Sequence, residues 1–176
     1  TAHINIYMDC FNALQRQGFY MSHSIIPASL AIKSMRDNGY KSAAHAIAEL
    51  IDNSIQAKAK TVHLICIDGY TVNTKRRLQQ LEEIAILDDG IGMSSKLLQE
   101  ALQFGGSSHK DDPNGIGKFG MGLPNASISQ CRRVDVWSWK DGKTFKTFLD
   151  VDLIESGEIE TVPVPIEEEL PPKWLV

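Results

Sequence analysis

Helical and strand-like periods alternate along the chain. The strongest helical pattern is "KSAAHAIAELIDNSIQAKAK", residues 41–60. Its Ala, Leu and Glu content favours helix, and Ser42 is placed to cap the start by accepting a free backbone N–H. At about 100° per residue, Ile47, Leu50, Ile51 and Ile55 share one stripe, which reads as the core face. Glu49, Asn53 and Gln56 fall on roughly the opposite side. "TVHLICIDG" (61–69) is β-branched and apolar and reads as a strand. "TKRRLQQLEE" reads as a charged turn or short exposed helix, and "IAILDDGIGM" as a buried strand running into a turn. Residues 94–106 form a helical pattern with Ser94 or Ser95 as cap and glycines as stop. A further helix, "LPNASISQC", starts at 123. "RVDVWSW" and "TFKTFLDVD" alternate as strands, and the "KDGK" between them signals a hairpin. Near the start, "IYMDCFNALQRQGF" and "IPASLAIKSMRDNG" read as helices, Pro27 suiting a first turn and Gly39 a stop.

This mixture predicts an α+β two-layer sandwich: a mixed, mostly antiparallel sheet covered on one face by helices. Three parts are expected. Residues 1–40 form an amino-terminal arm with helices, 41–153 the main domain, and 154–176 an acidic, proline-bearing tail leading to a region beyond this chain. The tail reads as a linker or an exposed edge segment. A length of 176 residues suffices for a sizeable core. The net charge of −4 gives no push towards nucleic acid or anionic membrane. No apolar run approaches the roughly 18 residues of a membrane span. Cys10, Cys66 and Cys131 lie far apart and outside metal-ligand spacing, as reduced thiols of a cytosolic protein would.

Candidate chemistry begins at "NGIGKFGMGLPNA", residues 114–126, with Gly115, Gly117, Gly120 and Gly122. Glycine is unfavourable to order, so such a cluster marks sharp turns or close approach of backbone to a ligand. Phosphate held by backbone N–H groups at a helix start is the commonest such ligand. The G-x-G-x-x-G spacing matches the dinucleotide fingerprint, but "GGSSHKDDPN" before it is no buried strand. Trp137 and Trp139 stand where the ribose-binding acid belongs. A P-loop fails too, because Phe119 replaces the magnesium-binding hydroxyl. A kinase glycine loop lacks its H-R-D partner segment.

Two other segments offer partners. Glu49 and Asn53 project one turn apart from helix 41–60. A carboxylate takes a proton from water, and a carboxamide oxygen is a hard ligand suited to magnesium. Alone, this pair reads more readily as a solvated polar face. "ILDDGIGM" puts two aspartates at a strand end before Gly90 and Gly92. Such a carboxylate accepts a hydrogen bond from an exocyclic amine, as adenine carries; a plain "DDG" turn is the alternative. His109 reads as a solvated histidine, His45 as a surface or boundary residue of its helix, and Trp137 and Trp139 as one packing or interface face of a strand.

Together, "AELIDNSIQA", "DDGIGM" and "GKFGMG", in this order over residues 40–150, resemble the GHKL superfamily of Bergerat-fold ATPases. The likeness is nearest to its MutL, MORC, ninety-kilodalton heat-shock chaperone and gyrase B branches. The resemblance implies ATP and Mg2+ as ligands. It implies that Glu49 is the general base, Asn53 the magnesium ligand and Asp88 the acceptor of the adenine amine, with Gly92 and Met93 beside the purine. Gly117, Lys118, Phe119, Gly120, Met121 and Gly122 would cradle phosphates, and Ser107, Ser108 and Lys110 would lie in the ATP lid. It further implies slow hydrolysis, lid closure and an ATP-dependent homodimer in a larger machine with a DNA or protein client. The setting would be cytoplasmic, or nuclear for a MORC-like protein, without a membrane. A nucleotide-sensing module without significant hydrolysis is the alternative. Glu49, four residues before the magnesium amide, speaks against a phosphotransfer kinase. Departing from the pattern, "YTVNTKRRLQQLEE" is longer than a usual hairpin loop.

Overall fold

A computed structural model of the chain describes residues 27–40, 42–73, 76–104 and 122–167. Its elements run α1 (Ala28–Asp37), α2 (Ala43–Gln56), β1 (Val62–Asn73), β2 (Arg76–Asp88), α3 (Ser95–Ala101), α4 (Gly122–Gln130), β3 (Arg133–Lys140), β4 (Lys143–Asp150), α5 (Val151–Glu155) and β5 (Ile166–Glu167). The α+β layering is as expected, with helices on an antiparallel sheet. Among the described residues, however, the strands divide into two sheets, β1–β2 and β3–β4–β5, and every pairing is antiparallel.

The three-stranded sheet carries the core. Asp141 and Gly142 both adopt positive φ, 54° and 75°, the two-residue turn that matches strand twist and closes the β3–β4 hairpin. Ile32 of α1, Leu102, Ile128 of α4, Leu149 of β4, Val151 and Ile154 of α5 and Val162 form one buried cluster. The strand expected to run to 152 stops at Asp150, whose carboxylate caps α5 by accepting from the N–H groups of Asp152 and Leu153 at 3.0 and 3.2 Å. Of the two readings of the tail, β5 is an edge strand on β4. Before it, Thr147 donates to the Pro163 carbonyl at 2.7 Å and Val162 enters the core. On the outer sheet face Lys146 stands 4.6 Å over the Trp137 ring and Arg133 stands 4.3 Å over Phe148. Trp139 is 41% exposed there.

Three expectations are corrected. The charged stretch 76–83 is strand, not turn or helix: β1 and β2 pair from Val62–Asp88 to Asn73–Arg76, with a bulge where Glu82 is left over between Ile67 and Asp68. The long insertion is therefore a long hairpin, because cross-strand pairing overrides weak local β preference. The strand expected to be buried from residue 84 is not, since Ile84 is 40% exposed, and Leu64 and Leu81 of the same hairpin are 47% and 50% exposed. On α2, the fully buried side chains are Ala46 and Ser54, whereas Ile55 is 60% exposed. Glu49 and Asn53 are half-buried. The reason is the partner: α2 packs chiefly on α4 rather than on a sheet, and small side chains take the buried positions.

Among the described residues no helix is long and apolar enough to cross a membrane. Cys66 and Cys131 are free thiols; Cys10 lies outside the described residues, as does the first expected helix.

Ile128 is completely buried and Leu30 is 59% exposed. Ile128→Ala should therefore cost about 2–5 kcal/mol in denaturant unfolding, and Leu30→Ala within about 0.5 kcal/mol of nothing.

Candidate functional site

Helix α2 is the scaffold on which the site residues meet. Its buried Ser54 donates from Oγ to Asp88 Oδ2 at 3.0 Å. Asp88 Oδ1 accepts from the Gly90 N–H at 2.8 Å. Asp88 is otherwise exposed at the end of β2. A carboxylate offers about four lone-pair sites, so acceptor capacity remains for a ligand. The neighbouring Asp89 does a different job. Its Oδ1 accepts from the N–H groups of Lys60 and Thr61 at 2.7 and 2.8 Å. Those bonds, Thr61 first and then Lys60, hold its carboxyl below the usual carboxylate range. Asp89 thus staples the turn after α2 to the end of β2.

The loop after Asp88 is gripped from two sides. A Cβ at Gly90 would stand 2.8 Å from the Ala57 carbonyl, and the Ile91 N–H donates to that same carbonyl at 2.9 Å. At the other end, Met93 N–H donates to the buried Ser138 hydroxyl of β3 at 2.6 Å. Gly92 has φ +63°, and a Cβ there would overlap the Trp139 carbonyl oxygen. Glycine is therefore demanded by backbone conformation and by the contact with β3, a reason the sequence motif does not carry.

Glu49 is reached from two other elements. A Cβ at Gly122, the first residue of α4, would overlap Glu49 Oε1. The bare backbone at the end of the glycine run thus lies against the carboxylate. From the α1–α2 connection, the Tyr40 hydroxyl comes within the influence of the same carboxylate. Burial first, and then the negative charge of Glu49, push the Tyr40 hydroxyl above the ordinary tyrosine range. One turn along α2, the Asn53 Nδ2 atom is buried without a hydrogen-bond partner among the described residues. Carboxamide N and O are interchangeable by rotation, so this amide has capacity that fits an ion or ligand. No cluster of three or more His, Cys, Asp or Glu among the described residues could hold a metal by itself.

Of the expected site residues, Glu49, Asn53, Asp88 and Gly122 gather on α2, and Gly92 and Met93 follow on the clamped loop. Ser107, Ser108, Lys110, Gly117, Lys118, Phe119, Gly120 and Met121 lie outside the described residues, as does His109; His45 is exposed. Sequence reasoning missed Tyr40, Ser54 and Ser138. Ser54 had a usable signal, a hydroxyl beside the motif amide; Tyr40 and Ser138 meet their partners through tertiary contacts alone.

A helix bearing acid and amide, a clamped D-x-G-x-G loop and a helix opened by glycine, set over an antiparallel sheet, make an ATP-binding module of the Bergerat type. The chain belongs to the histidine kinase-, DNA gyrase B- and HSP90-like ATPase family, whose model matches residues 40–172. It is 27% identical over 132 residues to MORC family CW-type zinc finger protein 1 of Homo sapiens, covering 74% of this chain and 12% of that protein. It is 34% identical over 100 residues to ATPase morc-1 of Caenorhabditis elegans, covering 55% of this chain and 10% of that one. With ATPase MORC2B of Mus musculus it shares 30% over 130 residues, 73% of this chain and 12% of the relative. The chain therefore spans about a tenth of the length of these relatives.

Gly92→Ala should destabilise the protein by roughly 1–3 kcal/mol in thermal or denaturant unfolding, because a left-handed residue then also meets the Trp139 carbonyl. The Asp89 bonds make a pH prediction. Because the folded-state value is lowered, this stabilisation is full above the unfolded value of about 3.9 and disappears as pH falls through the folded one. Asp89→Asn should flatten the stability loss below about pH 4, measured by urea midpoints across pH.

Proposed function

We propose that this chain is the Mg2+-dependent ATP-binding and ATP-hydrolysing module of a larger MORC-like protein. The observation that carries the reading is the meeting on one helix of the Glu49 carboxylate against Gly122, the unsatisfied Asn53 amide and the Ser54-held Asp88. The ATPase names of two relatives support it.

In this reading Asp88 accepts the adenine amino hydrogen bond on its free lone pairs, with Gly92 and Met93 bordering the ring. Backbone N–H groups of Gly117, Lys118, Phe119, Gly120, Met121 and Gly122 hold phosphate oxygens, as amides at a helix start do. Ser107, Ser108 and Lys110 add lid contacts. Asn53 would hold Mg2+, which when bound neutralises phosphate charge. Glu49 orients a water molecule and accepts its proton as the water oxygen bonds to the γ-phosphorus. The bond from that phosphorus to the bridging oxygen breaks, and ADP and phosphate leave. General-base help of this kind is worth about 10²–10⁴-fold. A cation supplied from outside this chain, in the role of an arginine finger, completes the γ-phosphate contacts, so the isolated domain hydrolyses slowly. Lid closure and dimerisation of the longer protein then follow ATP occupancy, in the cytoplasm or nucleus. DNA or protein clients engage other regions.

Turnover and binding by the full-length protein test this. Glu49→Ala should lower hydrolysis about 10²–10⁴-fold while keeping ATP affinity. Asp88→Asn should weaken ATP and ADP about 10–100-fold, the loss of a charge-assisted hydrogen bond. A Glu49→Ala protein that turns over ATP at the wild-type rate removes the base assignment; unchanged nucleotide affinity in Asp88→Asn removes the adenine site.

A further inference from the structure

We infer that Ser138 is a positioning residue for the adenine end of the pocket: by accepting the Met93 N–H it sets the spacing between residues 92–93 and the Asp88 carboxylate. The inference rests on the ATPase reading above and adds a residue outside all three motifs.

The loop from Gly90 to Met93 cannot hold its place by side-chain packing. Gly90 and Gly92 carry no side chain, and Ile91 is 61% exposed. Its position is therefore set by hydrogen bonds from its backbone. Gly90 N–H donates to Asp88 Oδ1 at 2.8 Å, and Ile91 N–H to the Ala57 carbonyl at 2.9 Å. Both bonds tie the near end of the loop to Asp88 and to the end of α2, where Ser54 Oγ donates to Asp88 Oδ2. At the far end, Met93 N–H donates to Ser138 Oγ at 2.6 Å. Ser138 lies on β3 opposite Phe145 of β4 and is 4% exposed. Of these three loop bonds, the last alone reaches the β3–β4–β5 sheet.

That bond relates two parts of the pocket. Asp88 closes β2, in one sheet, and Ser138 stands in the other. Past Met93 the chain belongs with the second sheet. Ser94 Oγ accepts from Leu97 N–H at 3.4 Å to start α3, Leu98 is fully buried, and Leu102 joins Leu149 of β4 in the core. A purine that donates to Asp88 while resting on Gly92 and Met93 touches both parts, so its fit depends on the distance between them. A serine hydroxyl suits this position. It accepts the N–H in a buried place without bringing a charge beside the carboxylate that receives the adenine amine. Alanine there would leave the Met93 N–H without this acceptor.

The test is Ser138→Ala, Ser138→Cys and Ser138→Thr in the full-length protein. Cysteine fills nearly the same space but accepts weakly, so it carries the test where alanine prevents folding; threonine keeps the hydroxyl. In Ser138→Ala and Ser138→Cys, Kd should rise about 3–10-fold, and by the same factor for ATP and ADP, as loss of one hydrogen bond at the base end allows. At saturating ATP, kcat should stay within about twofold, because Glu49 stands on α2 against Gly122 and not on this loop. Ser138→Thr should restore both affinities. A serine needed only for folding would lower the active fraction and leave Kd unchanged in what remains folded. The second readout needs no nucleotide. Hydrogen exchange in peptides covering residues 90–97, followed by mass spectrometry, should be faster in Ser138→Ala and Ser138→Cys and return to the wild-type rate in Ser138→Thr. Faster exchange with unchanged ATP and ADP affinity overturns the inference while leaving the ATPase reading in place, and unchanged exchange overturns it too. A wild-type protein that binds no adenine nucleotide removes the ATPase reading, and the positioning role falls with it.

Discussion

The packing of α2 against α4 is the contact on which the site depends. The fully buried side chains of α2 are the small Ala46 and Ser54, and those of α4 are Pro124, Ala126, Ser127 and Ile128. At the start of α4 there is no side chain at all, and Glu49 occupies that space. A carboxylate held against backbone is thereby drawn out of bulk water without being buried outright, a setting in which electrostatic interactions are stronger than in free solution.

The same helix organises the second motif. Ser54 holds Asp88, and the Ala57 carbonyl receives Ile91 N–H beside Gly90. Acid, amide and aspartate are thus referred to one rigid element, the arrangement that keeps a site within the narrow tolerance catalysis needs. The two adjacent aspartates divide their work by environment. Asp89 spends its lone pairs on backbone N–H groups of the α2–β1 turn. Asp88 keeps part of its capacity in reserve, facing outward.

Local signals were readable where a local cause decides the structure. Helices α2, α3 and α4 and the β3–β4 hairpin follow from composition, the Ser94 cap and the Asp141–Gly142 turn. The family and its α+β layering were readable because three motifs recur in order. What was not readable depends on partners distant in sequence. Arg76 to Glu83 look like a charged turn until β1 is paired against them. Ile55 looks like core until α4, with its small residues, replaces the imagined sheet as the partner of α2. Tyr40 carries no periodic signal, because it comes within the influence of Glu49 only when the α1–α2 connection lies across α4.

The double grip on residues 90–93 has a mechanical corollary. One end hangs from the Ala57 carbonyl on the helix and the other from Ser138 on the sheet, with Gly92 wedged beneath the Trp139 carbonyl. Hydrogen bonds of 2.6 and 2.9 Å tolerate only tenths of an ångström of stretch. Sliding α2 past β3 would snap one anchor or the other, so helix, loop and strand travel as a single block. Any larger movement in the protein must pivot around this block, which makes the Asp88 end of the pocket a fulcrum and leaves the lever to other segments.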